Sequence, residues 1–176
     1  MHTARALVLL CPLASLGCDL ALFPEQAHYT GADSARASVD LSALAMSDRD
    51  DIESVVVEVS DLVLHRPSDD AWVVLGPEAI QVDLVASPRS PAVDGIPVRR
   101  FEYDTIAFGL GTVRIGADGE SFDARAMETE VELTGDFRVE GDVIVQVRFD
   151  LDASIVGDAD SGFAFYPVVE AELLGE

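Results

Sequence analysis

Between Val143 and Asp152 the chain alternates with a period of two: Val143, Val145, Val147, Phe149 and Leu151 fall on one side, and Gln146, Arg148, Asp150 and Asp152 on the other. Successive side chains of a pleated strand point to opposite faces, so this pattern describes a strand with one face in a core and one in water. An amphipathic helix would need apolar residues three or four apart. The same signal recurs along most of the chain. Residues 54–65 are β-branched and apolar, with Asp61 placed where a bulge or a change of face is expected. Further strands are predicted at 71–75, 79–85, 98–108, 112–115, 127–133, 137–139, 143–155 and 162–174. Arg66-Pro67-Ser68-Asp69-Asp70, Asp118-Gly119 and Glu140-Gly141-Asp142 read as turns, the last two closing hairpins, and residues 86–97 read as an exposed loop. Short helices are expected only at 41–46 or 47–53, where Ser47 can cap. About eight or nine strands at this spacing predict an all-β fold, an antiparallel β-sandwich. Its core should contain Val55, Val57, Val145, Val147, Phe149 and Phe165.

A chain of 176 residues in which 49% are hydrophobic can bury a proper core, despite a formal net charge of −22. That charge repels phosphate backbones and anionic head groups, which are held by clustered cations, so nucleic-acid binding is excluded. All eleven basic residues are Arg. This reads as the codon usage of a GC-rich genome, with adaptation to high salt as the other reading. The two cysteines are Cys11 and Cys18, so the region beyond residue 18 has no pair to oxidise and must be held by its core.

The N-terminus has the layout of an export signal. Arg5 supplies a positive start, and residues 6–16 are uncharged and largely apolar, interrupted by Pro12. A spanning helix needs about 20 apolar residues, so this stretch is too short for a permanent anchor and fits a removed leader. It ends in Ser15-Leu16-Gly17-Cys18. These four residues resemble a bacterial lipobox, whose Cys thiol receives diacylglycerol before cleavage and whose small Gly admits the extended peptide to the signal peptidase. The lipobox commonly has Leu three places before the Cys, where Ser15 stands here. The resemblance implies a signal peptide over 1–17, an acylated Cys18 as first mature residue, and no cofactor beyond that covalent lipid. Cleavage there removes Arg5 and no acid, taking the net charge from −22 to −23. Asp19 resembles the signal that retains lipoproteins in the inner membrane of enteric bacteria; other phyla follow different rules, so either membrane of the envelope is compatible.

Residues 18–36 mix small, polar and turn-forming residues without sustained period, as a lipidated N-terminus and tether would, and 37–176 form the β-sandwich domain. Within that domain Val55-Val56-Val57-Glu58-Val59, Leu64-His65, Trp72-Val73-Val74-Leu75 and Val82-Asp83-Leu84 follow one another at short intervals. This succession resembles the opening of a family of bacterial lipoprotein domains of unknown function, with a looser echo over residues 95–103. The resemblance covers about a fifth of the chain; it implies a lipoprotein β-domain and carries no activity.

Few residues offer chemistry. His2 lies in the leader and His28 in the tether, which leaves His65 for the domain. One His without Cys cannot build a multi-His zinc site, and no Gly-x-Ser-x-Gly elbow surrounds any Ser. Asp150 and Asp152 should share one strand face, and Asp158 and Asp160 a turn, giving weak candidates for a calcium ion. The twelfth position counted from Asp158 is Val169 and not Glu, which breaks the EF-hand pattern, so a solvated acidic face is the expected role. Arg99-Arg100 beside Phe101 and Tyr103 is a candidate anion- or sugar-facing patch, read as an exposed strand with Arg100 and Glu102 on its polar face. Trp72 beside Asp69-Asp70 invites a stacking role but reads as core. The expectation is a lipid-anchored envelope module that is non-enzymatic and binds another envelope protein or a polymer, its membrane contact made through the lipid. The alternative is an enzyme or a ligand or calcium carrier built from dispersed carboxylates and His65.

Overall fold

The computed structural model describes residues 33–175, apart from 45, 47, 48, 77 and 87–89. The leader, Cys18 with Ser15, Leu16 and Gly17, and the tether up to residue 32 lie outside the described residues. Two sheets pack face to face, as a sandwich. In the smaller, β12 (Val169–Gly175), β9 (Val143–Phe149), β1 (Ser34–Ala43) and β5 (Ser90–Arg99) lie side by side in that order. In the larger the order is β10 (Ile155–Asp158), β11 (Gly162–Phe165), β7 (Glu120–Ala126), β6 (Glu102–Ala117), β2 (Ile52–Arg66) and β3 (Ala71–Gly76). There β4 (Ile80–Asp83) also pairs with β2, and β8 (Glu130–Arg138) with β6. The described residues thus hold twelve strands, more than the eight or nine expected. Both sheets are mixed: β1 pairs with β9, and β7 with β11, in parallel. Parallel neighbours need long connections, and here the chain visits the other layer between them.

The larger sheet is organised by β2 and β6, antiparallel over nearly their whole length. Their inward residues switch phase part-way: Val55, Val57 and Val59 are followed by Leu62 and Leu64, and Ile106, Phe108 and Leu110 by Val113 and Ile115, all buried. Each switch coincides with a register shift, at Ser60/Val63 and at Val57/Val59, and Asp61 takes the left-handed φ of 50°. The extra residue turns the strand by one pleat, so apolar groups that would otherwise face water return to the core. The bulge expected at Asp61 is there. Across the interior, Phe149 of β9 meets Phe108 of β6 and Phe165 of β11, with ring centroids 6.2 and 6.3 Å away. All six residues expected in the core are at most 1% exposed.

Several local expectations are corrected. The strand expected over 143–155 stops at Phe149, and Leu151–Ser154 form a helical turn, α1, capped by Asp150, whose carboxylate accepts from the Ala153 N–H. The strand expected over 162–174 is two, with Phe165 in the larger sheet and Val169 in the smaller. Glu140-Gly141-Asp142 is a crossover between layers, since β8 and β9 belong to different sheets, whereas Asp118-Gly119 is a hairpin turn with both φ values positive. Residues 98–108 are likewise divided, Val98 in β5 and residues from Glu102 in β6. The expected loop over 86–97 is largely β5, an edge strand whose Pro91 and Pro97 cost little where one side needs no partner. Leu41 to Ala43 belong to β1 and Ile52 with Glu53 to β2, so neither expected helix forms over those residues. Strand β1 begins at Ser34, inside the segment expected as tether.

At the β10–β11 turn Gly157 has φ of +100°, and a Cβ there would collide with the Gly162 carbonyl oxygen. Gly157→Ala should lower stability by about 1–3 kcal/mol in urea unfolding. Gly141→Ala, where a Cβ meets nothing within 4 Å, should change it by less than about 0.5 kcal/mol.

Candidate functional site

The chain enters the domain at one end of the sandwich, where Ser34 pairs with Arg99 and the Arg100 N–H donates to the Asp33 carbonyl at 2.9 Å. The same end gathers the turn from β2 to β3, the crossover from β5 to β6, and the close of β8. Between them lies an open groove of about 720 Å³. Its lining comes from Pro67 and Ser68 of the turn, Arg100 to Glu102 of the crossover, and Arg138 to Glu140.

Phe101 is the exposed large apolar side chain of this lining, 41% exposed, and its backbone lies where the chain passes from one sheet to the other. It is held on two sides. Its carbonyl accepts from the Val139 N–H at 2.9 Å, and its ring lies 5.2 Å from the Arg66 guanidinium carbon. Arg66 is only 2% exposed, so its charge requires a partner, and Asp69 supplies a two-pronged one with both N–O distances at 2.7 Å. The Arg66 hydrogen bonds hold the Asp69 carboxyl below the usual carboxylate range. On the rim, the Arg138 guanidinium bridges Glu102 at 3.2 Å and Glu140 at 3.3 Å. These exposed pairs add little stability; they set donors and acceptors side by side on the rim.

Just behind the groove, His65 at the end of β2 is wedged between two acids. Its Nδ1 lies 2.7 Å from Asp104 and its Nε2 3.0 Å from Asp70, while the Trp72 ring, its cross-strand neighbour, covers it at 4.8 Å. Both nitrogens face carboxylate oxygens, which accept only, so the geometry suits the doubly protonated imidazolium. Burial pulls the His65 pKa down, but the hydrogen bonds to Asp104 and Asp70 outweigh it and the net shift is upward. Trp72 is half-buried over His65 and not in the core as expected.

No family model, curated protein or solved structure matches the chain.

The other expected site residues do not come together. Asp150 caps α1 and Asp152 lies within that turn, so they do not share a strand face. Asp158 is engaged locally, accepting from the Ser161 hydroxyl at 2.6 Å and its N–H at 2.7 Å, which lowers its pKa; Asp160 is an exposed turn residue. Among the described residues no group of three or more His, Cys, Asp or Glu is placed to hold a metal ion. The patch of Arg99-Arg100 and Phe101 is corrected in its geometry: Phe101, and not only Arg100 and Glu102, faces solvent, and Tyr103 is the buried member. Sequence reasoning missed Arg66, Arg138 and Glu140. Arg66 and Glu140 sat in turn segments that looked merely polar, and nothing local marks a buried Arg.

Two outcomes follow. A raised histidine pKa stabilises the fold fully below the unfolded value of about 6.5, and the contribution is lost as pH rises through the higher folded value. The stability gap between wild type and His65→Gln in urea unfolding should therefore be widest below about pH 6.5 and narrow as pH rises through the higher folded value. Millimolar calcium should leave the melting temperature unchanged, since a specific site would raise it with the logarithm of calcium concentration.

Proposed function

We propose that the chain is a lipid-anchored lipoprotein of the bacterial cell envelope, acting as a non-enzymatic binding module. The observation that carries the reading is Ser15-Leu16-Gly17-Cys18 at the end of a short apolar stretch that starts after Arg5. An acidic chain needs such a covalent device, because its surface repels anionic head groups. Each acyl methylene contributes about 0.8 kcal/mol, and two or more chains hold a protein where one does not.

The fold supports the binding part of the reading. The groove beside Phe101 is at the end where the chain enters, and the fourteen residues between Cys18 and Asp33 reach at most about 50 Å when extended. The groove is then presented to an envelope protein or polymer close to the membrane. His65, the residue on which an enzymatic reading would turn, has both ring nitrogens committed to Asp104 and Asp70, which favours a structural part for it.

Radiolabelled palmitate should enter the wild-type protein and not Cys18→Ser, and the mature N-terminus read by mass spectrometry should be a modified Cys18. Absence of label from wild type, with an N-terminus elsewhere, would mean plain secretion instead.

A further inference from the structure

We infer that the groove beside Phe101 recognises an uncharged glycan chain, through a braced aromatic ring flanked by Arg138 paired to Glu102 and Glu140. The inference rests on the binding-module reading and names the ligand class for that site.

An exposed aromatic ring on a protein surface is commonly mobile, and fixing it on binding costs entropy. Phe101 is already fixed. Its carbonyl is bonded to the Val139 N–H, and its ring rests against Arg66, whose guanidinium is held by two hydrogen bonds to the Asp69 carboxylate. Arg66 does not line the groove whereas Phe101 does, so the ring turns its remaining surface to the groove. An aromatic face is electron-rich and attracts polarised C–H groups such as those on one face of a pyranose. A cationic ligand is disfavoured, because a guanidinium already occupies the ring's attraction.

The rim carries no excess of either charge. Arg100 and Arg138 are matched in number by Glu102 and Glu140, so the lining carries no net charge within a chain of −22. An anion would meet the field of the whole protein without a local excess of cations to offset it. Guanidinium and carboxylate groups side by side present planar donors and acceptors together, which matches the vicinal hydroxyls of a sugar. A peptide read by strand addition would need free backbone groups, and the Phe101 carbonyl and Val139 N–H are bonded to each other. The groove is open to solvent, which suits a chain passing across the ring and not a small molecule enclosed on all sides.

The test uses the full chain in detergent micelles with ring-¹³C phenylalanine, the Phe101 resonance being assigned from Phe101→Leu. Neutral hexasaccharides of N-acetylglucosamine, of β-1,4-glucose and of α-1,4-glucose are titrated in, with hexagalacturonate as the anionic comparison. At least one neutral hexasaccharide should shift the Phe101 resonance saturably, with affinity changing less than twofold between low and high salt. Phe101→Ala should weaken that binding roughly tenfold or more, and Arg138→Gln should weaken it measurably while leaving the melting temperature unchanged. If no neutral sugar moves the resonance, if hexagalacturonate alone does so, or if Phe101→Ala binds as wild type does, the inference is overturned. A photo-crosslinking residue at position 101, used in native membranes, separates the two levels of failure. An envelope protein captured there, with no sugar bound, overturns the glycan and leaves a binding module; no capture and no sugar overturn both.

Discussion

The register between β2 and β6 is the constraint on which the rest of the structure depends. These are the two longest strands, and β3, β4, β7 and β8 each attach to one of them. A strand of such length cannot keep a strict period of two and still follow a twisted, curved sheet, so the pairing is interrupted where Asp61 adds a residue and again near Gly111. Each interruption resets which side chains face inward. Without them Leu62, Leu64, Val113 and Ile115 would turn to solvent and the second layer would have nothing to cover.

The second layer is joined to the first through bulk and not through covalent links. Phe149 between Phe108 and Phe165 spans the interior, surrounded by Val and Leu from both sheets. Close packing of this kind suffices for a domain of this size without disulfides. It also explains why a strongly acidic surface is tolerated: the acids stand on outward faces and turns, where water screens their repulsion, and the described interior holds one fully sequestered charge, Arg66, with Asp69 as counter-charge.

That buried pair links the fold to the candidate site. The β2–β3 turn which carries Asp69 into place also carries Asp70 to His65 and Pro67 with Ser68 to the groove wall. Asp70 adopts a positive φ of 54° to make the turn. One short turn thus holds an imidazole ring, a guanidinium and, through the guanidinium, an aromatic ring, so the groove wall is tied to side-chain pairing at the end of the sheet.

The sequence by itself determined what depends on neighbours in the chain. The alternation from Val143 to Phe149 set which faces are buried, Asp61 announced its bulge, and Asp118-Gly119 its turn, because side-chain period and left-handed backbone are local properties. Alternation states that a strand has an inside; it does not state which sheet supplies the neighbour. The assignment of β8 and β9 to opposite layers, the division of 162–174 around Pro167, and the parallel pairing of β1 with β9 were therefore decided only when both layers were packed. The groove belongs to the same class. Arg66, Phe101 and Arg138 are far apart in the chain, and each looks like an ordinary surface residue. Only the meeting of three strand ends buries the first, fixes the second and pairs the third, because desolvation and charge pairing act through space.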